Sequence, residues 1–392
     1  MSWPMVKLKD CCTVVGGATP KRNISEYWDS RDVPWVTPKD ISKLSNKVLD
    51  DSPEYISQLG FDKCATYLLP KGSVLLTSRA PIGNVAIAGR DMCTNQGFKS
   101  LVPSDCIDST YLYYCMVMHS PKLEALGNGA TFKEVSKKIV EEFEIPLPPL
   151  AEQKRIASIL DKADAICRKR QQAIDLADEF MRAVFLDMFG DPVMNPKKFP
   201  VGTIRDFVEA ANYGSSAKAS EVDGEYPILR MGNITYNGAI DMTDLKYIDL
   251  SEKDKPKYLV TKGDLLFNRT NSKELVGKTA VYDGDNPVAI AGYLIRVRTN
   301  DKGNTHYISG YLNSDHGKAT LQNICKSIVG MANINAQEMQ DIPILIPPVD
   351  LQNKYRDIVL SVKEKLTRHQ TALTFNSDLF GSLSQKAFSG DL

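Results

Sequence analysis

Eight cysteines and four histidines are the residues of this chain best suited to metal ligation or nucleophilic attack, and their spacing favours neither. No two of Cys11, Cys12, Cys64, Cys93, Cys106, Cys115, Cys167 and Cys325 form a C-x-x-C pair, and His119, His306, His316 and His369 lie far apart. Structural zinc sites draw paired ligands from short spacings, so reduced thiols and no metal are expected. Catalytic motifs are missing as well. There is no G-x-x-x-x-G-K-S/T phosphate loop, no G-x-G-x-x-G behind a strand and no H-E-x-x-H. A G-x-S-x-G nucleophile elbow is also absent. Adenine methyltransferases hold an extruded base with a tetrapeptide of the Asn-Pro-Pro-Tyr type. The nearest strings here, Leu147-Pro148-Pro149-Leu150 and Ile346-Pro347-Pro348-Val349, lack its polar first and aromatic last residues. No catalytic residue is assigned, and a non-enzymatic chain is expected.

Those two Pro-Pro strings mark a tandem duplication. Ile145-Pro146-Leu147-Pro148-Pro149-Leu150-Ala151-Glu152-Gln153-Lys154 recurs as Ile344-Leu345-Ile346-Pro347-Pro348-Val349-Asp350-Leu351-Gln352-Asn353, 199 residues later in a chain of 392. Weaker echoes precede it in the same order. Pro34-Trp35-Val36-Thr37 pairs with Pro227-Ile228-Leu229-Arg230, Lys71-Gly72 with Lys262-Gly263, and Ile82-Gly83 with Val276-Gly277. Each repeat has a variable front and a better-matched tail. The fronts read as short strands, such as Ser73-Val74-Leu75-Leu76-Thr77 and Leu294-Ile295-Arg296-Val297-Arg298, broken by Gly, Pro and Asn turns.

Both tails read as long helices. Ile156, Leu160, Ala163, Cys167, Arg170, Ile174, Ala177, Met181, Val184 and Met188 step by four and three, a heptad seam. Adding 199 gives Tyr355, Val359, Val362, Leu366, His369, Leu373, Asn376, Phe380, Leu383 and Ala387, the same seam without a slip. Polar Arg170, His369 and Asn376 interrupt it, and a polar seam residue fixes register at a cost in stability. A helix of about 40 residues is roughly 60 Å long. Two such helices can pair antiparallel with pseudo-twofold symmetry, placing one module at each end of a rod, or can bind another protein. The expected fold is α+β: two mixed, β-rich domains joined by two long helices paired as an antiparallel coiled coil. The boundaries read as 1–145, 146–191, 192–345 and 346–392.

Composition narrows the class further. With 43% hydrophobic and 24% charged residues, the chain is neither disordered nor a cysteine-stapled mini-protein. The longest apolar run, Ile342 to Val349, holds three prolines, and the residues after Met1 show no apolar signal core, so a cytoplasmic location is expected. Lys+Arg and Asp+Glu both number 48, and fronts and tails are each neutral to within one charge. That excludes a large nonspecific electrostatic grip on nucleic acid by this chain alone. It does not exclude basic residues concentrated on a few loops.

Gly16-Gly17-Ala18-Thr19-Pro20-Lys21-Arg22, Tyr27-Trp28 and Val33-Pro34-Trp35-Val36-Thr37 resemble the opening of a target recognition domain. Pro70-Lys71-Gly72, Gly83-Asn84-Val85-Ala86 and Thr94-Asn95-Gln96-Gly97-Phe98 continue the likeness, and Pro148-Pro149-Leu150-Ala151-Glu152-Gln153 closes it. Together they are similar to the DNA specificity (S) subunits of type I restriction–modification systems. The second front departs from the pattern, with Gly214-Ser215-Ser216-Ala217-Lys218 opposite Gly16-Gly17-Ala18-Thr19-Pro20. The resemblance implies that each front reads one half of a split double-stranded DNA target while the coiled coil spaces the halves. Two methyltransferase subunits and restriction subunits would assemble on the chain, and S-adenosylmethionine, ATP and Mg would belong to those partners.

Given that role, base-edge reading needs Arg, Lys, Asn, Gln, Ser and Thr on loops held by a rigid sheet. The candidates in the first front are Thr19, Lys21, Arg22, Thr37, Lys39, Thr77, Ser78, Arg79, Asn95, Gln96 and Lys99. In the second they are Ser215, Ser216, Lys218, Arg230, Asn233, Asn268, Arg269, Thr270, Asn271 and Lys273. Arg79 and Arg269 are expected at equivalent loops after a strand. Lengthening the helix near Gln171 is expected to change the gap between half-sites. Three alternatives stay open: a specificity component of a related methyltransferase complex, a scaffold without DNA readout, and a single-chain methyltransferase or nuclease.

Overall fold

Repetition in the sequence becomes repetition in three dimensions. The computed structural model describes residues 3–129, 133–328 and 331–392, and they fall into two compact units. One comprises Met1–Gln171 with Thr371–Leu392, the other Gln172–Gln370. Each unit therefore takes about half of both long helices, Leu150–Phe189 and Val349–Ser389.

The first unit is built on a five-stranded sheet ordered Cys12–Gly16, Lys99–Pro103, Val74–Ser78, Ile82–Ala88, Val48–Leu49. Val74, Leu75 and Leu76 are all fully buried because both faces of this sheet are covered, which is why the strand reads as a continuous apolar run. Helix Ser109–Ala125 covers one face; its first turn is capped by the Asp108 carboxylate, which accepts from the Thr110 and Tyr111 N–H groups. Val36, Leu49, Met92 and Phe98 pack with Leu75 in a separate cluster. A smaller sheet sets Val33–Val36 parallel to Cys93–Thr94, with Trp35 opposite Cys93 and Val36 opposite Thr94.

The second unit repeats this plan. Its main sheet runs Val208–Tyr213, Leu294–Thr299, Leu265–Asn268, Thr279–Val281. Helix Thr305–Asn313, capped by the Asn304 side chain, takes the place of Ser109–Ala125. A second sheet sets Tyr226–Leu229 parallel to Val288–Ile290, with Leu229 opposite Ile290. Thr270–Asn271 joins Met331–Asn333 and Lys326–Ile328 in a third.

At both junctions the repeated Pro-Pro-x-x-x-Gln spacing places a buried glutamine. The Gln153 amide is fully buried; its oxygen accepts from the Asp108 N–H at 2.8 Å, and its nitrogen donates to the carbonyls of Cys106 and Pro148. Gln352 does the same with the Asn304 N–H and the carbonyls of Lys302 and Pro347. Tyr111 and Tyr307 then donate their hydroxyls to the carbonyls of Pro146 and Leu345, tying each covering helix to the strand before its long helix. Both long helices end on a glycine in the left-handed region, Gly190 at φ +79° and Gly390 at φ +88°, where a side chain would be strained.

Every seam residue read from the sequence is buried or half-buried. In the first unit Phe380, Leu383, Ala387 and Phe388 pack with Ile156 and Leu160. In the second, Met181, Val184, Phe185 and Phe189 pack with Tyr355 and Val359. Arg170, His369 and Asn376 each keep one buried polar nitrogen without a hydrogen-bond partner among the described residues.

Candidate nucleic-acid interface

Four chain segments converge at the same place in each unit. In the first, Gly17 crosses so close to the loop after Cys93–Thr94 that a Cβ would stand 2.1 Å from the Thr94 carbonyl. Ala18 donates its N–H to that carbonyl, and the Asn95 N–H reaches the Val36 carbonyl. Ser78, ending its strand, donates to the Gly97 carbonyl. Segments 17–19, 36–39, 78–79 and 94–99 thus form one cradle. In the second unit Gly214 occupies the place of Gly17, with a Cβ 2.3 Å from the Ala291 carbonyl. The bonds from Ser215 to Ile290, Ala291 to Leu229 and Arg269 to Tyr293 repeat the first set.

Several candidate residues meet at the first cradle. Thr19 donates its hydroxyl to the exposed Gln96 side chain. Asn95 is half-buried, and its side chain accepts from the Gly97 N–H at 2.8 Å. The half-buried Arg79 lies beside Gly97, whose Cβ would stand 3.6 Å from the arginine Nε. Lys39 is exposed on the short helix Pro38–Ser42. Thr37, immediately before that helix, donates its N–H and hydroxyl to the Asp40 carboxylate. Lys99 reaches Glu134 at 3.2 Å and the Ser78 hydroxyl at 3.4 Å. Exposed Lys21 and Arg22 follow the cradle; the Arg22 guanidinium sits 3.8 Å over the Trp28 ring and 2.7 Å from Glu54. In the second unit Ser216, Lys218 and Lys273 are exposed and Asn271 is half-buried. Arg230 is held by Asp244 at 2.8 Å.

Other candidates are not surface readers. Thr77 and Asn268 are fully buried: the Thr77 hydroxyl donates to the Pro81 carbonyl, and the Asn268 amide reaches the Met231 carbonyl. Ser78 is 1% exposed and Asn233 3%, the latter accepting from the Arg230 N–H and donating to the backbone carbonyls of Asp241 and Asp244. Ser215 and Thr270 are buried as well. Polar residues at a strand end look like a loop in sequence, yet here they satisfy backbone groups that burial would otherwise leave unpaired. The run from Asn268 to Lys273 is accordingly not one loop, since Thr270–Asn271 pairs as a strand with Asn333 and Ala332. Arg79 and Arg269 are not equivalent either. Hydrogen bonding sets Arg269 opposite Ser78, one residue before Arg79.

The family described as the type I restriction modification DNA specificity domain matches residues 2–176 and again 196–373. This chain belongs to that family. It is 27% identical to the specificity subunit of the type I restriction enzyme MjaIX of Methanocaldococcus jannaschii, over all of this chain and 93% of that one. Against the EcoKI specificity subunit of Escherichia coli K12 it is 26% identical, over 70% of this chain and 63% of that one. The fold resembles the crystal structure of an S subunit from M. genitalium, with a TM-score of 0.64, 16% identity and coverage of 98% and 96% of the two chains. A chain from a structure described as revealing complex assembly and conformational transition of the type I R-M system gives a TM-score of 0.57 at 17% identity, covering 100% and 98%.

Each specificity domain of this chain thus owns one cradle, with the same backbone register and different side chains. Sequence reasoning missed Tyr213 and Tyr293, exposed aromatics at the second cradle, because an isolated tyrosine in a strand or turn carries no signal of its own. It also missed Asn333 and Glu134, which lie far along the chain and arrive only through tertiary pairing. No helix among the described residues is long and apolar enough to cross a membrane. Among the same residues all eight cysteines are free.

Proposed function

We propose that this chain is the non-catalytic, sequence-reading subunit of a type I restriction–modification complex acting in the cytoplasm. Each cradle reads one half of a split double-stranded DNA target. The two long helices pair antiparallel about a pseudo-twofold axis over their whole length and set the gap between the halves. Two methyltransferase subunits and the restriction subunits assemble on it, and S-adenosylmethionine, ATP and Mg act within those partners. The domains are the two fronts, 1–145 and 192–345, each followed by its spacer helix, 146–191 and 346–392.

One observation carries this reading: the same cradle is built twice, and its outward side chains differ. A shared scaffold with divergent polar residues suits two heads that read different base edges. Recruitment has support on the helices. Leu176 and Phe180 are exposed, and so are Phe375 and Leu379 at the positions 199 residues on. A repeated pair of apolar residues in solvent suits a partner that binds twice.

Binding-site selection on random duplex DNA, with the methyltransferase partner present, tests the proposal. A consensus split into two short elements by a fixed gap is expected. A scaffold without readout would return no consensus. Incubating the chain alone with S-adenosylmethionine and duplex should leave the DNA unmethylated; methylation would make the chain an enzyme.

A further inference from the structure

At one spot in the two cradles, cations are held in opposite ways. In the first unit the cation is Lys99, a side chain 16% exposed whose ammonium lies 3.2 Å from the Glu134 carboxylate and is therefore neutralised in place. In the second unit the strand register puts Ile295 where Lys99 stands, Arg269 where Ser78 stands, Asn333 where Glu134 stands and Tyr213 where Gly16 stands. The cation has moved to the residue between strands Leu265–Asn268 and Thr270–Asn271, and both residues that hold it are neutral. The Arg269 guanidinium sits 4.8 Å over the Tyr213 ring, and its Nη2 donates to Asn333 Oδ1 at 3.4 Å. Asn333 is itself oriented, donating through Nδ2 to the Thr270 hydroxyl at 2.7 Å. The Tyr213 hydroxyl accepts from the Ala336 N–H at 3.0 Å, which fixes the ring. The side-chain contacts that hold Arg269 are both to neutral groups, and its Nε is buried without a hydrogen-bond partner among the described residues.

An arginine held by an aromatic face and an amide keeps its full charge and loses little freedom when it binds. Its planar fork matches the O6 and N7 acceptors on the major-groove edge of guanine, the commonest specific arginine contact to DNA. A buried N–H left unpaired costs stability, and such groups call for an explanation. We propose that Arg269 reads a guanine in the half-site taken by the second unit, with Tyr213 and Asn333 as positioning residues. Lys99, paired with Glu134, has no matching role in the first half-site. This inference rests on the specificity reading above.

The test is binding-site selection with the chain assembled on its methyltransferase partner, comparing wild type with Arg269→Ala, Arg269→Lys, Tyr213→Ala and Tyr213→Phe. Wild type should return a G·C pair at one position of one half-site. Arg269→Ala should lower the preference at that position by roughly ten- to a hundredfold, while the other half-site, unchanged, reports that the variant is folded and assembled. Arg269→Lys keeps the charge but not the fork and should relax the same position. Tyr213→Ala should relax it partly, and Tyr213→Phe, which keeps the ring but loses its bond to Ala336, should relax it less. A split consensus in which no G responds to Arg269 overturns this inference alone, as does retention of the G by Arg269→Lys. Equal weakening at every sequence makes Arg269 a phosphate contact and also overturns it. A wild-type selection without any split consensus overturns the specificity reading and this inference together.

Discussion

Gln153 and Gln352 show how a single buried amide holds a module to its spacer helix. Each satisfies one backbone N–H and one carbonyl from a segment met only in the fold, and a second carbonyl five residues before it. Replacing Gln153 with Ala strands all three groups in the protein interior, at a cost of about 2–4 kcal/mol. Urea unfolding should show a loss of that size for Gln153→Ala and a similar one for Gln352→Ala; a loss under about 0.5 kcal/mol in either would contradict the assigned role. The repeated spacing of these glutamines was legible in the sequence, but their task was not, because two of the three groups each one satisfies lie some 45 to 50 residues upstream. The arginines went the other way. Arg79 and Arg269 looked equivalent because each follows an apolar strand. The repeat offset of 191 at Gly72 and Gly263 sets Arg269 on Ser78 and Thr270 on Arg79, whereas pairing the two arginines needs an offset of 190. One residue of slip in a strand turns a side chain to the opposite face.

Each long helix is anchored to the body of its unit by charge as well as by its seam. In the second unit Lys363 lies 2.6 Å from Asp283, which also accepts from the His306 ring at 3.1 Å. Burial pushes the Asp283 carboxyl up, but the His306 hydrogen bond and the Lys363 charge outweigh it and leave the group below its ordinary value. A carboxyl depressed in the folded state contributes fully above its unfolded value, and the contribution drains away as pH falls below about 4. Acidification from pH 5 to pH 3 should therefore lower the protection of amides in the helix around Lys363, measured as exchange relative to the intrinsic rate at each pH. Asp283→Asn should show the reduced protection already at pH 5 and a flatter protection profile; a profile like that of wild type would contradict the tie. The buried stripe of each helix was legible because heptad spacing survives in both tails. The division of each helix between two compact units was not, since periodicity shows which face is buried and not which body buries it.

At the scale of the whole chain, zero net charge and a doubled plan belong together. A reader whose partners supplied the nonspecific affinity would need no net positive charge, and 48 charges of each sign leave it none. The account then places specificity in two cradles and spacing in two helices, so lengthening the helices should move the half-sites apart without changing what either reads. Seven residues, one heptad, inserted after both Gln171 and Gln370 preserve the seam and lengthen each helix by about 10 Å. The most direct measurement is the DNA methylome of cells carrying the wild-type chain, compared with that of cells carrying the lengthened one. The account predicts a split motif that depends on the chain, with both half-sites retained and the gap widened by roughly three base pairs, at 3.4 Å each. A motif with an unchanged gap, an undivided motif, or no motif that depends on the chain would contradict it.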